Sequence, residues 1–155
     1  MNYTITLPNN RNYNNSTHQD FFGGNIYSRQ ESYVSENNLK TILTLKSFLL
    51  LNEKWDSYNA EKPSQIAITK AISFCLWLSQ KSIDIFFTAP IADSDILIEL
   101  KNDKSNLEFV FSDSADDKIL AWHDGDLNAE AILNDTTRES YLKWLICPNG
   151  NCPDL

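Results

Sequence analysis

The spacing of apolar residues changes once along this chain, at Pro90, and that change limits the folds open to it. Between Ser35 and Leu78 apolar side chains recur with a helical period near 3.6. After Pro90 they alternate. Ile96, Ile98 and Leu100 alternate with Leu97, Glu99 and Lys101, and Leu107, Phe109 and Phe111 alternate with Glu108 and Val110. Ile119 to Trp122 is a short apolar run. Leu127, Ala129, Ala131 and Leu133 then alternate with Asn128, Glu130 and Ile132. The turns between these runs are Asn102-Asp103-Lys104-Ser105, Asp113 to Asp117, and Asp124-Gly125-Asp126. Connections this short cannot carry parallel crossovers, so the strands form an antiparallel meander with one dry face.

A dry sheet face needs a cover, and the helices upstream supply it. Ser35 is a natural N-cap with Glu36 in the first turn, and the leucine-rich face that follows predicts a helix to about Lys54 or Trp55. Pro63 and Ser64 start a second helix, in which Ala67, Ala71, Phe74, Cys75 and Leu78 are expected inside. Thr136-Thr137-Arg138-Glu139 has the letters of a capping box for a third, with Pro148 as its stop. The expected fold is α+β: a helical hairpin plus a C-terminal helix packed on a four-stranded antiparallel meander sheet.

Residues 1–34 differ from the rest. Asn, Ser, Thr and Tyr dominate, Gly23-Gly24 interrupts, and only Tyr3, Ile5 and Leu7 hint at an edge strand. This is an extended or partly disordered segment, residues 35–147 form a single domain, and 148–155 are a tail.

A chain of 155 residues, 42% hydrophobic, is large enough for one cored domain. No apolar run approaches the roughly 20 residues that cross a bilayer, and no basic-then-apolar leader opens the chain. The expected location is cytoplasmic, away from membranes. The formal charge is −8, which disfavours direct nucleic-acid binding because phosphate contacts need cations. It suits a basic protein partner instead. Of three cysteines, Cys75 falls among core positions, and Cys147 and Cys152 flank Pro-Asn-Gly-Asn, a loop that could close as a disulfide if oxidised, although a reducing cytoplasm favours free thiols. Zinc wants about four ligands, and only two histidines join these thiols.

Trp55-Asp56-Ser57-Tyr58-Asn59-Ala60 links the first two helices. As a corner, Trp55 and Tyr58 wedge between helices and sheet, Asp56 bonds nearby amides, and Asn59 takes a left-handed conformation. As a contact patch, the same aromatics supply hot-spot side chains beside a carboxylate. The segment resembles a family of small uncharacterised bacterial proteins with a Trp-Asp-Gly-Tyr-Gly-Ala-like motif, a Pro-Ser helix start and an apolar-Glu-apolar strand. The matching residues are Trp55, Asp56, Tyr58, Ala60, Pro63 and Ser64, with Ile98-Glu99-Leu100 as the strand. Ser57 and Asn59 replace glycines, and Leu100 stands where that pattern often has Trp. The resemblance implies an α+β fold and carries no activity to transfer.

Chemistry has few footholds. Asp124-Gly125-Asp126-Leu127-Asn128 spaces oxygens as a calcium loop does, but Ala129 holds the position that needs glycine, and an Asp-Gly hairpin explains the same letters. His18 lies in the Asn-rich segment, and His123 ends a strand beside Asp124. No nucleophile elbow and no phosphate-cradling glycine loop is present. The reading that follows is a non-enzymatic protein-binding module that needs no cofactor or metal. It acts as a bacterial or phage inhibitor or regulator, of which nucleic-acid mimicry of the anti-CRISPR or anti-restriction type is the extreme form. Its contact residues are expected to be Asp113, Asp116, Asp117, Asp124, Asp126, Glu99 and Glu108. The alternative is a small metal-assisted hydrolase or metal-binding protein that uses His123 and Asp124.

Overall fold

A computed structural model of the chain describes residues 34–147. The expectations for residues 1–33, including the edge strand at Tyr3 to Leu7, and for 148–155, including Cys152, lie outside the described residues; Cys147 is disulfide-bonded, which corrects the expectation of a free thiol there. The elements are α1 (Glu36–Ser47), a 3-10 turn (Phe48–Leu50), α2 (Gln65–Gln80), β1 (Phe87–Pro90), β2 (Ile96–Asn102), β3 (Ser105–Phe111), β4 (Lys118–His123), β5 (Asp126–Ile132) and α3 (Asp135–Ile146). The strands form one antiparallel sheet in chain order, β1-β2-β3-β4-β5. The class is α+β, as the change of period implied.

The sheet has five strands where four were expected. The extra one, β1, is Phe-Thr-Ala-Pro, too short to alternate and ending in a residue that disfavours strands. It forms because it lies at the sheet edge, where Pro90 opposite Ile96 leaves no ladder bond unmade on a further neighbour. Thr88 adds a side-chain bond, donating from Oγ1 to the Leu97 carbonyl at 2.8 Å.

Alternation puts Ile96, Ile98, Leu100, Leu107, Phe109, Phe111, Ile119 and Ala121 on one face, all buried. The helices cover that face with Leu45, Ala67, Ala71, Phe74, Cys75, Leu78, Leu142 and Leu145. Cys75 is wholly buried, and burial pushes its thiol up to about 12, so it behaves as a small core residue. β5 departs from simple alternation. A register shift after Ala121 pairs Trp122 with Leu127 and Ala121 with Ala129, which puts Leu127 on the helix-free face, half exposed, while Ala129 and Ala131 stay on the inner one.

Both predicted helix-hairpin caps are in place. Ser35 accepts from the Asn38 amide at 3.2 Å, and Ser64 accepts from the Ile66 amide at 3.1 Å. The end of α1 is earlier than expected: the helix stops at Ser47, tightens through the 3-10 turn, and Leu50 is left 81% exposed. The leucine run beyond Phe48 has no core to enter, so its pattern overstated the helix. The third cap is displaced. Asn134, not Thr136, caps α3, accepting from the Thr137 amide while Thr137 Oγ1 accepts from the Asn134 amide. Leu133 donates its amide to the Asp117 carbonyl at 2.7 Å, which fixes where β5 ends and makes Asn134 the first residue free to cap.

One buried polar residue knits the helices together. Asn38 donates to Ser79 Oγ at 3.0 Å and to the Ile83 carbonyl at 2.8 Å, and its Oδ1 accepts from the Ile85 amide at 3.0 Å. This satisfied amide joins α1, α2 and the approach to β1. No helix among the described residues is long and apolar enough to cross a membrane.

Candidate functional site

Antiparallel order sorts the turns between the two ends of the sheet. The β1–β2 and β3–β4 connections share one end with the 51–64 loop and the start of α2. The β2–β3 and β4–β5 hairpins share the other. The expected contact residues follow this division. Asp113, Asp116 and Asp117 lie at the first end and Asp124 and Asp126 at the second. Glu99 and Glu108 face each other across β2 and β3, on the helix-free face between them. They do not form one continuous acidic face.

The first end is held by side-chain carboxylates. Asp56 Oδ1 accepts from the amides of Tyr58 at 2.8 Å and Ala60 at 3.0 Å. Glu53 accepts from the Lys62 amide at 3.0 Å, and Trp55 Nε1 donates to the Glu61 carbonyl at 3.0 Å. Lys54, Ser57 and Asn59 all have positive φ, a conformation that needs such over-determination to persist in non-glycine residues. The loop is then fastened to the sheet: Glu61 donates its amide to the Ala92 carbonyl, Ser64 donates its amide to the Ser94 carbonyl, and Ser64 Oγ donates to Asp113 at 2.9 Å. Asp117 accepts from Lys70 Nζ at 3.0 Å and from the Ser112 amide at 2.9 Å.

This geometry divides the corner motif. Asp56 bonds the turn amides and Asn59 is left-handed, as expected. Trp55 is half-buried. Tyr58 does not wedge between helices and sheet; it is 87% exposed at the loop tip. With Asp56 collecting two amides and left-handed residues on either side of it, the loop can reverse without burying Tyr58. At this end of the sheet carboxylates outnumber lysines: Glu53, Asp56, Glu61, Asp93, Asp95, Asp113, Asp116 and Asp117 against Lys54, Lys62, Lys70 and Lys118. The result is an acidic sheet end with a hydrogen-bonded loop that projects Tyr58.

At the other end, Asp124 and Gly125 both have positive φ, as in a type I′ hairpin, and Gly125 has open space around it. Asp124 Oδ1 lies 3.3 Å from Lys104 Nζ, and its Oδ2 lies 3.6 Å from His123 Nε2. Ser105 Oγ and His123 Nδ1 lie 2.8 Å apart. Both ring nitrogens of His123 thus have protein neighbours, and Ser105 is buried. No group of three or more His, Cys, Asp or Glu among the described residues is placed to hold a metal.

Glu99 and Glu108 share a cross-strand row with Phe87 and Leu120. Burial raises the pKa of Glu99 above the ordinary value of 4.5, and the Glu108 charge opposite raises it further; Lys101 and Asn106 partly offset this.

Between α2 and the start of α3 lies an open cleft of about 410 Å³, which the sequence did not mark as a site although Asp117, an expected contact residue, lines it. Phe74, Trp77, Phe111 and Leu133 floor it, and Lys70 and Arg138 flank it. The signal was present: Lys70, Ser73 and Trp77 recur at helical spacing on one stripe of α2. Only folding brings Arg138 over that stripe.

The chain matches no family model, no curated protein and no solved structure. The resemblance to the Trp-Asp-Gly-Tyr-Gly-Ala-like family therefore rests on the residues that carry it.

Proposed function

We propose that this protein is a non-enzymatic binding module that docks a basic partner protein through the acidic end that presents Tyr58. The observation that carries this reading is Tyr58 itself. A tyrosine 87% exposed at the tip of a loop fixed by Asp56, Trp55 and Glu53 gives nothing to the core, and its support costs three left-handed residues. An aromatic on a loop whose backbone is already fastened, at an acidic end of the sheet, suits recognition, because little backbone entropy is lost when the contact forms. The surrounding charge steers a cationic partner and makes the encounter sensitive to salt. An inhibitor or regulator of bacterial or phage origin that competes with nucleic acid for a basic groove fits this chemistry. The metal-assisted alternative at His123 and Asp124 gains no comparable support, since Ser105 and Lys104 already engage those side chains.

A pull-down from lysate of the source cell or its host, eluted with rising salt, tests the reading. One basic protein is expected to leave at moderate salt and to be lost with Tyr58→Ala or with Asp93→Lys plus Asp116→Lys. Asp126→Lys, at the far end, is expected to retain it. Undiminished capture by both disabled variants would sink the proposal.

A further inference from the structure

The cleft between α2 and α3 has the composition of a ligand site and opens away from Tyr58, although Lys70 and Asp117 border both. Its volume of about 410 Å³ falls within the range of roughly 300–1,000 Å³ usual for small-molecule pockets. The floor is aromatic: Phe74 stacks on Trp77 at 5.6 Å between ring centroids and packs on Phe111 at 5.4 Å. Arg138 lies over Trp77, its guanidinium carbon 3.9 Å from the ring centroid, so the indole holds the guanidinium at the cleft wall.

The hydrogen bonds of that guanidinium are incomplete. Nη2 donates to Asp135 Oδ1 at 2.8 Å. Nε, the other half of the same side-by-side fork, is shielded from water and has no partner. A guanidinium edge of this kind matches two oxygens of one carboxylate or phosphate. Asp135 fills half of it from a side chain that is 92% exposed, an arrangement worth little and readily displaced. Lys70 lies two turns before Trp77 on α2, about 10 Å along the helix axis. It is held by the Ser112 carbonyl at 2.7 Å and by Asp117, so it bounds the cleft without competing for the same anion.

We propose that this cleft binds a small oxyanion carrying a flat apolar body, an aromatic carboxylate or an aryl phosphate. The anion seats on Nη2 of Arg138 in place of Asp135, and a turn of the guanidinium over Trp77 brings the shielded, unpartnered Nε to its second oxygen. The ring lies over Phe74, Phe111 and Leu133. Asp135 then acts as an internal competitor that occupies half the seat when the ligand is absent.

Two-dimensional amide and indole NMR of the full chain, titrated separately with benzoate and phenyl phosphate, tests this. The Trp77 indole signal is assigned by its loss in Trp77→Phe. Saturable shifts of the Trp77 indole and the Arg138 Nε–H are expected with at least one probe, at a Kd of about 1 mM or tighter. The tighter probe names the anion class. Acetate, which lacks the ring, and benzyl alcohol, which lacks the charge, are expected to bind at least tenfold more weakly. Arg138→Lys keeps a cation over Trp77 but loses the fork, and is expected to weaken binding at least tenfold. Asp135→Asn is expected to tighten it. No saturable shift with either probe, equal binding by Arg138→Lys, or weaker binding by Asp135→Asn would each overturn the proposal. If Arg138→Lys melts early, the two control ligands and Asp135→Asn decide the matter.

Discussion

The two ends of the sheet are built from the same residue types and use them differently. At the end that carries the 51–64 loop, aspartates act as fasteners: Asp56 gathers two amides, Asp113 takes the Ser64 hydroxyl, and Asp117 takes an amide and an ammonium. At the hairpin end, Asp124 has only exposed ionic neighbours and Asp126 is exposed. Net charge and turn composition do not distinguish these roles. What distinguishes them is whether the backbone beside the carboxylate has another acceptor. Two-residue hairpins satisfy their own ladders, whereas a long loop closing over a sheet end leaves amides that only side chains reach.

Asp117→Ala is the harshest test of this contrast. It strips acceptors from the Ser112 amide and from Lys70, both partly buried, and is expected to cost about 2–3 kcal/mol by urea unfolding. Asp56→Ala removes the acceptor for two amides in the left-handed loop and is expected to cost about 1–2 kcal/mol. It should also loosen the loop, raising amide exchange at Tyr58 and Ala60 while the β2–β3 ladder stays protected. Asp117→Ala as mild as a surface change would show that the first end is no more dependent on its carboxylates than the second.

How far these roles could be read from the sequence depends on the range of each interaction. Local signals carried through: the Ser35 and Ser64 caps, the alternation in β2 and β3, and the Asp-Gly turn all act within a few residues. The features that departed from expectation share a cause, which is dependence on distant neighbours. β1 exists because β2 offers it an edge, and the bulge that moves Leu127 reflects pairing with β4. Tyr58 is exposed because Asp56 and the sheet turns hold its loop outward. The buried Asn38 node spans three elements, and the Trp77–Arg138 stack joins residues from α2 and α3. The helical spacing of Lys70, Ser73 and Trp77 is legible on α2, but the partner each of these features depends on is not.

Glu99 lies between the two ends and tests whether an acidic residue can oppose the fold. Its pKa is raised in the folded state, chiefly by burial and then by Glu108, so the fold disfavours its charge. Below the ordinary value of 4.5 the carboxyl is protonated in both folded and unfolded chains, and nothing is lost. As pH rises through that value the unfolded chain ionises first. Stability falls until folded Glu99 ionises as well, and its contribution is flat thereafter. Glu99→Gln is therefore expected to melt higher than the wild type at pH 7, with the gap closing below about pH 4. A gap that is constant with pH would assign the effect to packing instead of charge.

The smallest expected effect is the most informative about the hairpin end. Asp124→Asn with Asp126→Asn removes two charges where the backbone asks nothing of them. Asn tolerates the left-handed conformation that Asp124 adopts, so the turn itself is kept. The double substitution weakens only the exposed approaches of Asp124 to Lys104 and His123, at 3.3 and 3.6 Å. Pairs of this kind are worth well under about 1 kcal/mol. The double variant is expected to unfold within about 0.5 kcal/mol of the wild type, with the residual difference fading in high salt. A destabilisation comparable to that of Asp56→Ala would mean that these aspartates fasten the sheet too, and the distinction between its ends would fail.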